Sequence, residues 1–326
     1  MQQAANLLSQ IEHYVPRVEQ LITATLQTSS EDYLPKIILE HLQTGGKRLR
    51  VKMALAAAKM LGVDMDQAIV WASACELLHN ATLIHDDVQD GDTIRRGKKT
   101  VWANHGIAQA INAGDLLFVL PFSILKTHHL EKSGLGGILA DHALKVIHGQ
   151  ARELNLQQEA TPSWEHYEHA VKGKTSALFE CAVAGAAALA GKNNDEIQRL
   201  VKPFGLLGLV FQIRDDIMDL YGDKERLEQG NDIKEGKISA LVSIYSAQPN
   251  ANWDALKFIL RKPRQDTHLE DIIWVKQEFS NTYTLQILLE RIKQYNQQIM
   301  SVDDNPLMIL FSELLQMLPI ELSNLI

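Results

Sequence analysis

Apolar side chains recur three and four residues apart along most of the chain, which is the spacing of helices that bury one face. This pattern predicts helices over Ala5–Gln27, Tyr33–Gln43, Val51–Leu61, Met65–Asp90, Ile107–Thr127, Leu139–Gln158, Trp164–Gly173, Thr175–Ala190, Glu196–Tyr221 and Thr282–Met300. Turn-forming residues separate several of these helices, at Gln43–Lys47, Lys132–Gly137, Thr161–Trp164 and Gly191–Asp195. No stretch shows the alternation expected of a strand. The pattern therefore predicts an all-α fold.

Length and composition favour one large domain. The chain has 326 residues, of which 46% are hydrophobic, enough to bury a large core. Neither a shift in composition nor a repeat of fixed period divides it, and Ala247–Asn252 is the single linker-like stretch. We expect a single domain over residues 1–326, built as one large helical bundle.

The formal net charge of -8 argues against a nucleic-acid partner, because affinity for phosphate backbones comes largely from lysine and arginine. The only two cysteines, Cys75 and Cys181, lie in Ala/Leu-rich segments, so we expect no disulfide and a reducing cytoplasm. The N-terminus has no basic segment typical of a secretory signal. The longest apolar run, Cys181–Gly191, is well short of the roughly 20 residues of a membrane span. We therefore expect a cytoplasmic protein with no transmembrane segment.

An acidic cluster ends the helix predicted over Met65–Asp90. Successive helical residues turn by about 100°, so Asp86 and Asp90 share a face, with His79 two turns back on that face and Asp87 to one side. Like charges at this spacing repel unless a cation lies between them. Mg²⁺ suits such a carboxylate pair. A solvated helix end with several aspartates explains this motif equally well.

A second cluster repeats the same spacing in the stretch FQIRDDIMD, at Asp215, Asp216 and Asp219, again near the polar end of a long apolar helix. Gln212 falls near the Asp215 face. Two such helices facing each other would form an anionic cage that holds a diphosphate through Mg²⁺. The repetition favours the metal-binding interpretation.

Basic residues accompany both clusters. They are Lys47 and Arg50 in GGKRLR, Arg95 and Arg96 after the first cluster, Lys174 in KTSALFE, and Lys237 in NDIKEGK. Each alone is typical of a surface charge. Together, in an acidic protein, they indicate two phosphate-bearing ligands, one held through metal and one held directly by lysine and arginine.

With these motifs in order, the chain resembles the trans-isoprenyl diphosphate synthases, the polyprenyl synthetase family that makes farnesyl, geranylgeranyl and longer prenyl diphosphates. The resemblance rests on GGKRLR, DDVQD with RRG, Gly149–Gln150, Lys174–Thr175 and FQIRDDIMD, between residues 45 and 237. It implies the isoprenoid synthase fold, a helical bundle around a deep apolar central cavity. It also implies a prenyltransferase that joins isopentenyl diphosphate to an allylic diphosphate.

The resemblance assigns roles to the motif residues. Asp86, Asp90 and Asp215 would coordinate Mg²⁺, with Asp87, Asp216 and Asp219 holding ligands or waters nearby. The allylic diphosphate would be bound by metal with Arg95, Lys174 and Lys237, and isopentenyl diphosphate by Lys47, Arg50, His79 and Arg96. Near the carbocation we expect the Thr175 hydroxyl, the Lys174 carbonyl and the Gln212 amide, while the departing diphosphate takes the proton. A homodimer is expected, and a transient membrane contact during product release is left open.

Two positions depart from the family pattern. Val51 stands where relatives usually have proline, which is favoured but not required at a helix start. Many relatives carry a lysine four or five residues before the aspartate that corresponds to Asp232, where this chain has Glu228 and Leu227. Two consequences are open: a shift of the loop lets Arg226 or Lys224 replace that cation, or turnover with the allylic substrate is weaker.

Three other classes fit part of the pattern. A class I terpene cyclase shares the fold and the first cluster, but the second DDxxD and GGKRLR count against it. A noncatalytic synthase subunit is suggested by Glu228, although such subunits tend to lose an acidic cluster and both are intact here. A helical scaffold with scattered charge does not explain five motifs in the family's order.

Product length depends on the helix that leads to the first cluster. Ala81 and Thr82 lie about one turn before Asp86, and both are small, whereas farnesyl-forming relatives often have an aromatic floor there. We therefore expect a product of twenty carbons or more, with farnesyl diphosphate as the alternative. Phe118 and Phe122 on the next helix are candidates for a floor from across the pocket, or are ordinary core residues.

Overall fold

The structure is a computed structural model that describes residues 4–27, 33–222, 229–302 and 305–316. Within these ranges the helices are α1 (Ala4–Glu12), α2 (Val15–Gln27), α3 (Tyr33–Leu42), α4 (Leu49–Met60), α5 (Met65–Gln89), α6 (Val101–His105), α7 (Ile107–Thr127), α8 (Leu135–Leu156), α9 (Trp164–Val171), α10 (Ala177–Leu189), α11 (Asn194–Tyr221), α12 (Asn231–Lys234), α13 (Ala240–Tyr245), α14 (Trp253–Leu260), α15 (Leu269–Asn281), α16 (Thr284–Met300) and α17 (Met308–Gln316). Short 3₁₀ turns lie at Glu131–Ser133 and Arg264–Asp266, and a π-helical turn at Lys172–Ser176. The all-α prediction is confirmed.

Most predicted helices agree with the structure to within about two residues at each end, but no helix was predicted at α6, α12, α13, α14, α15 or α17. Three predictions differ more. The first predicted helix divides into α1 and α2. Helix α8 begins earlier than predicted, because the break ends at Gly134, which has the left-handed φ of 78°, and Gly136 is already helical. The π-helical turn replaces the predicted break between Gly173 and Thr175. The predicted break at Lys132–Gly137 is therefore present, but it ends at Gly134 and is shorter than predicted.

Two elements carry no periodic signal in the sequence. Strands β1 (Ile94–Arg95) and β2 (Lys98–Lys99) form a two-residue antiparallel hairpin directly after the first acidic cluster. All six residues of α13 are buried, so no polar face sets a helical period. A local turn at Arg96 and Gly97, both with positive φ, closes the hairpin, whereas α13 is distinguished only by its burial in the folded chain.

The chain groups into two compact units. The first comprises Met1–Ala143, Leu178–Lys202 and Asn305–Glu313. In it, α5 packs along α4 and α7. The indole of Trp71 is fully buried and donates from Nε1 to the carbonyl oxygen of Ala182 on α10, at 2.9 Å. Cys75 and Cys181 are both buried free thiols.

The second unit comprises Leu144–Ala177, Pro203–Asp304 and Leu314–Ile326. Its core includes Ile213, Tyr245 and Phe279, none of which is exposed. The Tyr245 hydroxyl donates to Glu278 Oε2 at 2.7 Å, which satisfies the one polar atom that this aromatic side chain brings into the core. The expectation of a single domain remains a prediction.

Helix α7 is the one helix in the described ranges that is long and apolar enough to cross a bilayer, judged by length and composition alone. Its most apolar 18-residue window has a mean hydropathy of 1.5, and 33% of that window is buried. Ile107, Ile111 and Phe122 are exposed on one stripe, while the opposite face packs on α5. The expectation that no segment spans a membrane stays a prediction.

The contact between α5 and α10 can be tested at Gly185. A Cβ atom added there would overlap the Trp71 indole, whereas one added at Gly137 on α8 would meet nothing within 4 Å. We expect Gly185→Ala to lower the free energy of unfolding by about 1–3 kcal/mol because the indole must move. Gly137→Ala should be neutral or slightly stabilising. Chemical denaturation of both variants measures the difference, and equal stabilities would contradict this packing.

Candidate active site

The first acidic cluster lies at the C-terminal end of α5. Asp86 and the helix C-cap Asp90 are partly exposed, and the Asp90 N–H donates to the Asp86 carbonyl at 2.8 Å. Asp87 is buried, and Oδ1 accepts two hydrogen bonds from Arg95 on β1, at 2.7 Å from Nε and 2.6 Å from Nη2. Two carboxylates therefore reach solvent, while the middle one holds the hairpin.

Burial raises the pKa of Asp87 to about 6, although Arg95 opposes the shift. The second carboxylate oxygen, Oδ2, is buried and has no hydrogen-bond partner among the described residues. Buried acceptors are rarely left without a donor. Asp87 therefore offers one oxygen to a donor or cation that the described residues do not supply.

The segment that carries GGKRLR contacts the hairpin that follows α5. Arg96 donates to the carbonyl oxygen of Gly45, and a Cβ added at Gly46 would lie 2.7 Å from Arg96 Nη1. Gly46 has a φ of 142°, which L side chains rarely adopt. Lys47 is exposed. The second glycine of GGKRLR is thus required both by its own backbone and by the approach of Arg96.

Arg50 meets His79 across this site. Arg50 Nη1 lies 3.1 Å from His79 Nε2, and the guanidinium lies over the Phe179 ring, 5.2 Å from its centroid. Burial, with Arg50 and Arg95 nearby, lowers the pKa of His79 well below its usual value. A neutral ring that accepts at Nε2 carries its proton on Nδ1. That Nδ1 atom is buried and has no partner within the described part of the chain.

The second acidic cluster lies on α11 and follows the same arrangement. Asp215 and Asp219 are partly exposed, whereas Asp216 is buried. Asp216 Oδ2 accepts from the Tyr167 hydroxyl at 2.8 Å and from the Ala240 N–H at 2.7 Å, and Oδ1 accepts from Gln212 Nε2 at 2.8 Å. Burial still raises the pKa of Asp216 to about 7.

Asp219 ties the segment after α11 to the cluster. Its Oδ2 accepts from the Asp232 N–H at 3.1 Å, and its carbonyl accepts from the Gly230 N–H at 3.0 Å. Burial, reinforced by Asp219 and Asp216, raises the pKa of Asp232 well above its ordinary value. Asp216, Asp219 and Asp232 therefore interact with one another, and a cation nearby would favour their charged forms.

The π-helical turn Lys172–Ser176 brings Thr175 to Gln212. Thr175 Oγ1 donates to Gln212 Oε1 at 2.9 Å. A Cβ added at Gly173 would lie 2.7 Å from the Gly149 Cα, so α8 can approach the turn only because both positions are glycine. The i→i+5 pattern interrupts regular i→i+4 bonding near Lys174, and such turns are frequent at functional sites.

Two lysines of this unit are held by acidic side chains. Lys174 Nζ lies 2.9 Å from Glu153 Oε2, and Lys237 Nζ lies 2.7 Å from Glu235 Oε2. Burial raises the pKa of Glu153, but Lys174 and Lys237 outweigh it and leave the pKa below its usual value. Glu153 therefore stays charged beside both cations.

The predicted residues fall into two groups, one in each unit. The first unit contains Lys47, Arg50, His79, Asp86, Asp87, Asp90, Arg95 and Arg96, and within it Arg50 contacts His79 and Arg95 contacts Asp87. The second contains Lys174, Thr175, Gln212, Asp215, Asp216, Asp219 and Lys237. Partly exposed aspartates beside fixed cations suit the binding of a metal-complexed polyanion.

Comparison with known proteins decides the family. Residues 31–275 match the profile of the polyprenyl synthetase family. The chain belongs to this family. It is 37% identical over 210 residues to a short chain isoprenyl diphosphate synthase of Methanocaldococcus jannaschii, and the aligned segment covers 62% of each chain. A geranylgeranyl diphosphate synthase of Saccharolobus solfataricus is 37% identical over 214 residues, 62% of this chain and 63% of the relative.

A solved polyprenyl synthetase structure extends the similarity over nearly the whole chain. The polyprenyl synthase of Caulobacter crescentus, complexed with calcium and isoprenyl diphosphate, superposes with a TM-score of 0.83 at 28% identity and covers 95% of both chains. The two sequence relatives match over less than two thirds of their own length. The isoprenoid synthase fold is therefore shared well beyond the segment that sequence alone aligns.

In this polyprenyl synthetase the structure shows two polar residues, Tyr167 and Glu153, that the sequence motifs did not predict to lie near the site. Nothing in the sequence indicates that Tyr167 binds Asp216, because an aromatic residue on an amphipathic helix is usually interpreted as a core residue. Glu153 lies one turn after the Gly149–Gln150 motif, and its spacing was the only available hint. The expected cation substitutes Lys224 and Arg226, with Leu227 and Glu228, lie outside the described residues.

Buried His41 in the first unit leads us to predict how the stability of the protein depends on pH. Its Nε2 lies 3.2 Å from Asn80 Oδ1, and burial, aided by Arg95, lowers its pKa from 6.5 to about 4. The unfolded chain binds more protons between these values, so stability is fully present above pH 6.5 and is lost as pH falls. At pH 5 the loss from this group is about 2 kcal/mol.

We expect His41→Gln, which keeps an amide donor for Asn80, to unfold with a smaller decrease in stability between pH 7 and pH 5. Urea unfolding of wild type and variant at both pH values measures this difference. Protonation of groups that both proteins share cancels in the comparison. Parallel pH profiles would refute the assignment.

Proposed function

We propose that this polyprenyl synthetase is a Mg²⁺-dependent prenyltransferase that condenses isopentenyl diphosphate with an allylic diphosphate to a trans-polyprenyl diphosphate. One observation carries the proposal. In both acidic clusters the middle aspartate, Asp87 or Asp216, is buried and held by protein donors, while the two outer aspartates are partly exposed. The same construction at the ends of two helices suits two carboxylate groups that bind metal.

The donor set fits Mg²⁺. Asp86, Asp90, Asp215 and Asp219 would hold it, because all offer carboxylate oxygen, the ligand type that Mg²⁺ prefers. The buried Oδ2 of Asp87, without a donor among the described residues, supports a cation or bound water at the first cluster. When bound, the metal neutralises the charge that develops on the leaving diphosphate. Asp216 would support this group through Gln212 rather than by direct contact, since both its oxygens already accept hydrogen bonds.

Lys174, Lys237 and Arg95 would bind the allylic diphosphate beside the metal. Each is held by a carboxylate, Glu153, Glu235 or Asp87 respectively. Cations fixed before the reaction stabilise a developing diphosphate charge without reorganisation, which lowers the barrier to breaking the allylic C–O bond. These three residues orient the leaving group and hold its charge.

Isopentenyl diphosphate would bind to Lys47, Arg50, His79 and Arg96 without metal. Arg50 and His79 are in contact, and Arg96 fixes the loop at Gly45. The protonated Nδ1 of neutral His79 is a donor that a phosphate oxygen can satisfy. Direct charge-assisted hydrogen bonds from arginine suit a diphosphate bound in one orientation.

Near the allylic carbocation we place the Thr175 hydroxyl, the Lys174 carbonyl and the Gln212 amide. Thr175 and Gln212 are hydrogen-bonded, so their dipoles are held in fixed directions. Oxygen dipoles stabilise positive charge, and an apolar surrounding excludes the water that would quench it. The double bond of isopentenyl diphosphate attacks the allylic carbon, the departing diphosphate accepts the proton, and a new double bond forms.

The product would contain twenty carbons or more. Ala81 and Thr82 are small and buried one turn before Asp86, which leaves no aromatic floor at these positions. Phe118 packs its ring on His85, and Phe122 is 40% exposed, so neither is an ordinary fully buried core residue. The geranylgeranyl synthase among the relatives supports the longer product. Farnesyl diphosphate is the alternative if another residue closes the pocket.

We also propose a cytoplasmic homodimer. Exposed Ile107, Ile111 and Phe122 form an apolar stripe on α7, and a two-fold partner would cover such a stripe. A membrane contact during product release is a second use of exposed apolar surface. A terpene cyclase or a noncatalytic subunit fits less well, because both DDxxD clusters and GGKRLR are intact.

The metal-binding aspartates are tested by Asp86→Ala and Asp215→Ala. We expect each to lower kcat by about 10³-fold or more, because charge on the leaving diphosphate is no longer stabilised. Product extraction measures turnover. Thermal melts with Mg²⁺ and inorganic diphosphate should show stabilisation of the wild type that both variants lose. Asp195→Ala, an exposed position at the other end of α11, is the matched control and should keep activity. Near-normal turnover in either variant would rule out the metal role.

Product length is tested by Ala81→Phe. We expect shorter prenyl products than those of the wild type, because an aromatic ring fills space one turn before Asp86. Chromatography of dephosphorylated products measures chain length. Ala81 is fully buried, so a thermal melt must first show that the variant is folded. A folded variant with the wild-type length distribution, or a wild type that stops at farnesyl, would show that the pocket is closed elsewhere.

A further inference from the structure

Arg48, between the predicted substrate cations Lys47 and Arg50, has a backbone that needs support. It is the N-cap of α4 and adopts a φ of 48° and ψ of 37°, the left-handed region that L residues avoid. Glycine or asparagine usually takes such a position. A non-glycine residue persists there when its surroundings hold it.

Three protein acceptors hold the Arg48 guanidinium. Nη1 lies 2.8 Å from Glu76 Oε1, Nε lies 2.9 Å from Glu19 Oε1, and Nη2 donates to the Leu42 carbonyl at 3.1 Å. The side chains of Arg48 and Glu76 are only 13% and 5% exposed, whereas that of Glu19 is 50% exposed. All three nitrogens are used within the protein, so Arg48 is not arranged as a phosphate ligand.

A buried polar chain fixes Glu76 in turn. Asn80 Nδ2 donates to Glu76 Oε1 at 3.1 Å and to the Glu76 carbonyl at 2.8 Å, and His41 Nε2 lies 3.2 Å from Asn80 Oδ1. Burial lowers the pKa of Arg48, but Glu76 and Glu19 outweigh it and raise the pKa above its usual value. Removing either partner of a buried ion pair leaves an uncompensated charge.

This ion pair lies at the start of α4. Arg50 lies in the first turn after Arg48 and meets His79 on α5, the same helix that carries Glu76. On the other side of the loop, Lys98 donates to the Gln43 carbonyl at 3.3 Å. A cavity of about 370 Å³, lined by Gly45, Arg48, Glu19 and Glu76 among others, borders the loop. The loop therefore has space to move into if the ion pair is removed.

We propose that the Arg48–Glu76 ion pair holds the loop 43–50 in the conformation that binds isopentenyl diphosphate, so that Arg48 and Glu76 are positioning residues for that substrate. The inference rests on the proposed function, since it takes Lys47 and Arg50 as ligands of isopentenyl diphosphate. Neither positioning residue touches the diphosphate. Each acts through the start of α4 and the loop before it.

The test compares Glu76→Gln with the wild type in steady-state kinetics. Glutamine keeps the shape and one acceptor but removes the charge that balances Arg48. We expect the KM for isopentenyl diphosphate to rise about tenfold, while the KM for the allylic substrate and kcat change by less than about twofold. A role in stability alone would lower the melting temperature without separating the two KM values.

Two further variants keep the test decisive. Arg48→Gly also removes the ion pair and relieves the left-handed backbone, and it should show the same selective rise in KM. Because buried Glu76 then lacks its partner, a thermal melt first shows that this variant is folded. Glu12→Gln is the matched control, because Glu12 pairs with Lys52 on the same helix α4, at 2.9 Å, and should leave both KM values unchanged.

Equal rises in both KM values, or no rise for isopentenyl diphosphate in a folded Arg48→Gly, would overturn the positioning role. Failure of the proposed function would look different, since the wild type itself would then release no diphosphate from the two substrates. Calorimetric titration with isopentenyl diphosphate alone gives a second readout, with about tenfold weaker binding expected in both variants.

Discussion

The cost of burying a carboxylate is the constraint that shapes both acidic clusters. An isolated charge inside an apolar helical bundle is strongly disfavoured, so a buried aspartate needs donors or becomes protonated. Asp216 is met by a hydroxyl, a backbone N–H and an amide from three different elements. Asp87 is met by a single arginine from the hairpin. Satisfying these two side chains fixes the segments around them, and the outer aspartates are positioned as a result.

A close backbone contact between α8 and the π-helical turn Lys172–Ser176 is the second feature that positions polar groups. Glycines at Gly149 and Gly173 let α8 approach the π-helical turn, and a side chain at either position would force the two segments apart. The turn then directs Thr175 to Gln212, whose amide is held by Asp216. The close approach at the two glycines positions Thr175, and buried Asp216 positions Gln212, so both contribute to the Thr175–Gln212 hydrogen bond.

Arginines near the first cluster and in GGKRLR differ in the charge of the groups that they meet. Arg48 and Arg95 are paired with the buried carboxylates Glu76 and Asp87, whereas Arg50 meets neutral His79. The charge of the first two is balanced within the protein, and burial keeps His79 neutral, so it does not compensate Arg50. Arg48 and Arg50 belong to one motif, yet only Arg48 is seen paired with a buried carboxylate.

The sequence by itself determined the helical fold class, the two DDxxD clusters, their companion cations and the family. These follow from local spacing, since helical periodicity and motif order do not depend on distant residues. It also placed Thr175 and Gln212 together through the family resemblance. The sequence predictions did not place α6, α12, α13, α14, α15, α17 or the hairpin. Helix α13 has no polar face, and the hairpin has only two residues in each strand.

Only the tertiary structure decided which aspartate of each cluster is buried, that Tyr167 and the Ala240 N–H hold Asp216, and that Glu153 pairs with Lys174. It also showed Arg48 in a left-handed conformation against Glu76, although the two are 28 residues apart. The reason is physical. Burial and pairing depend on what distant segments bring to a side chain, and neither the charge of a residue nor its spacing along a helix carries that information.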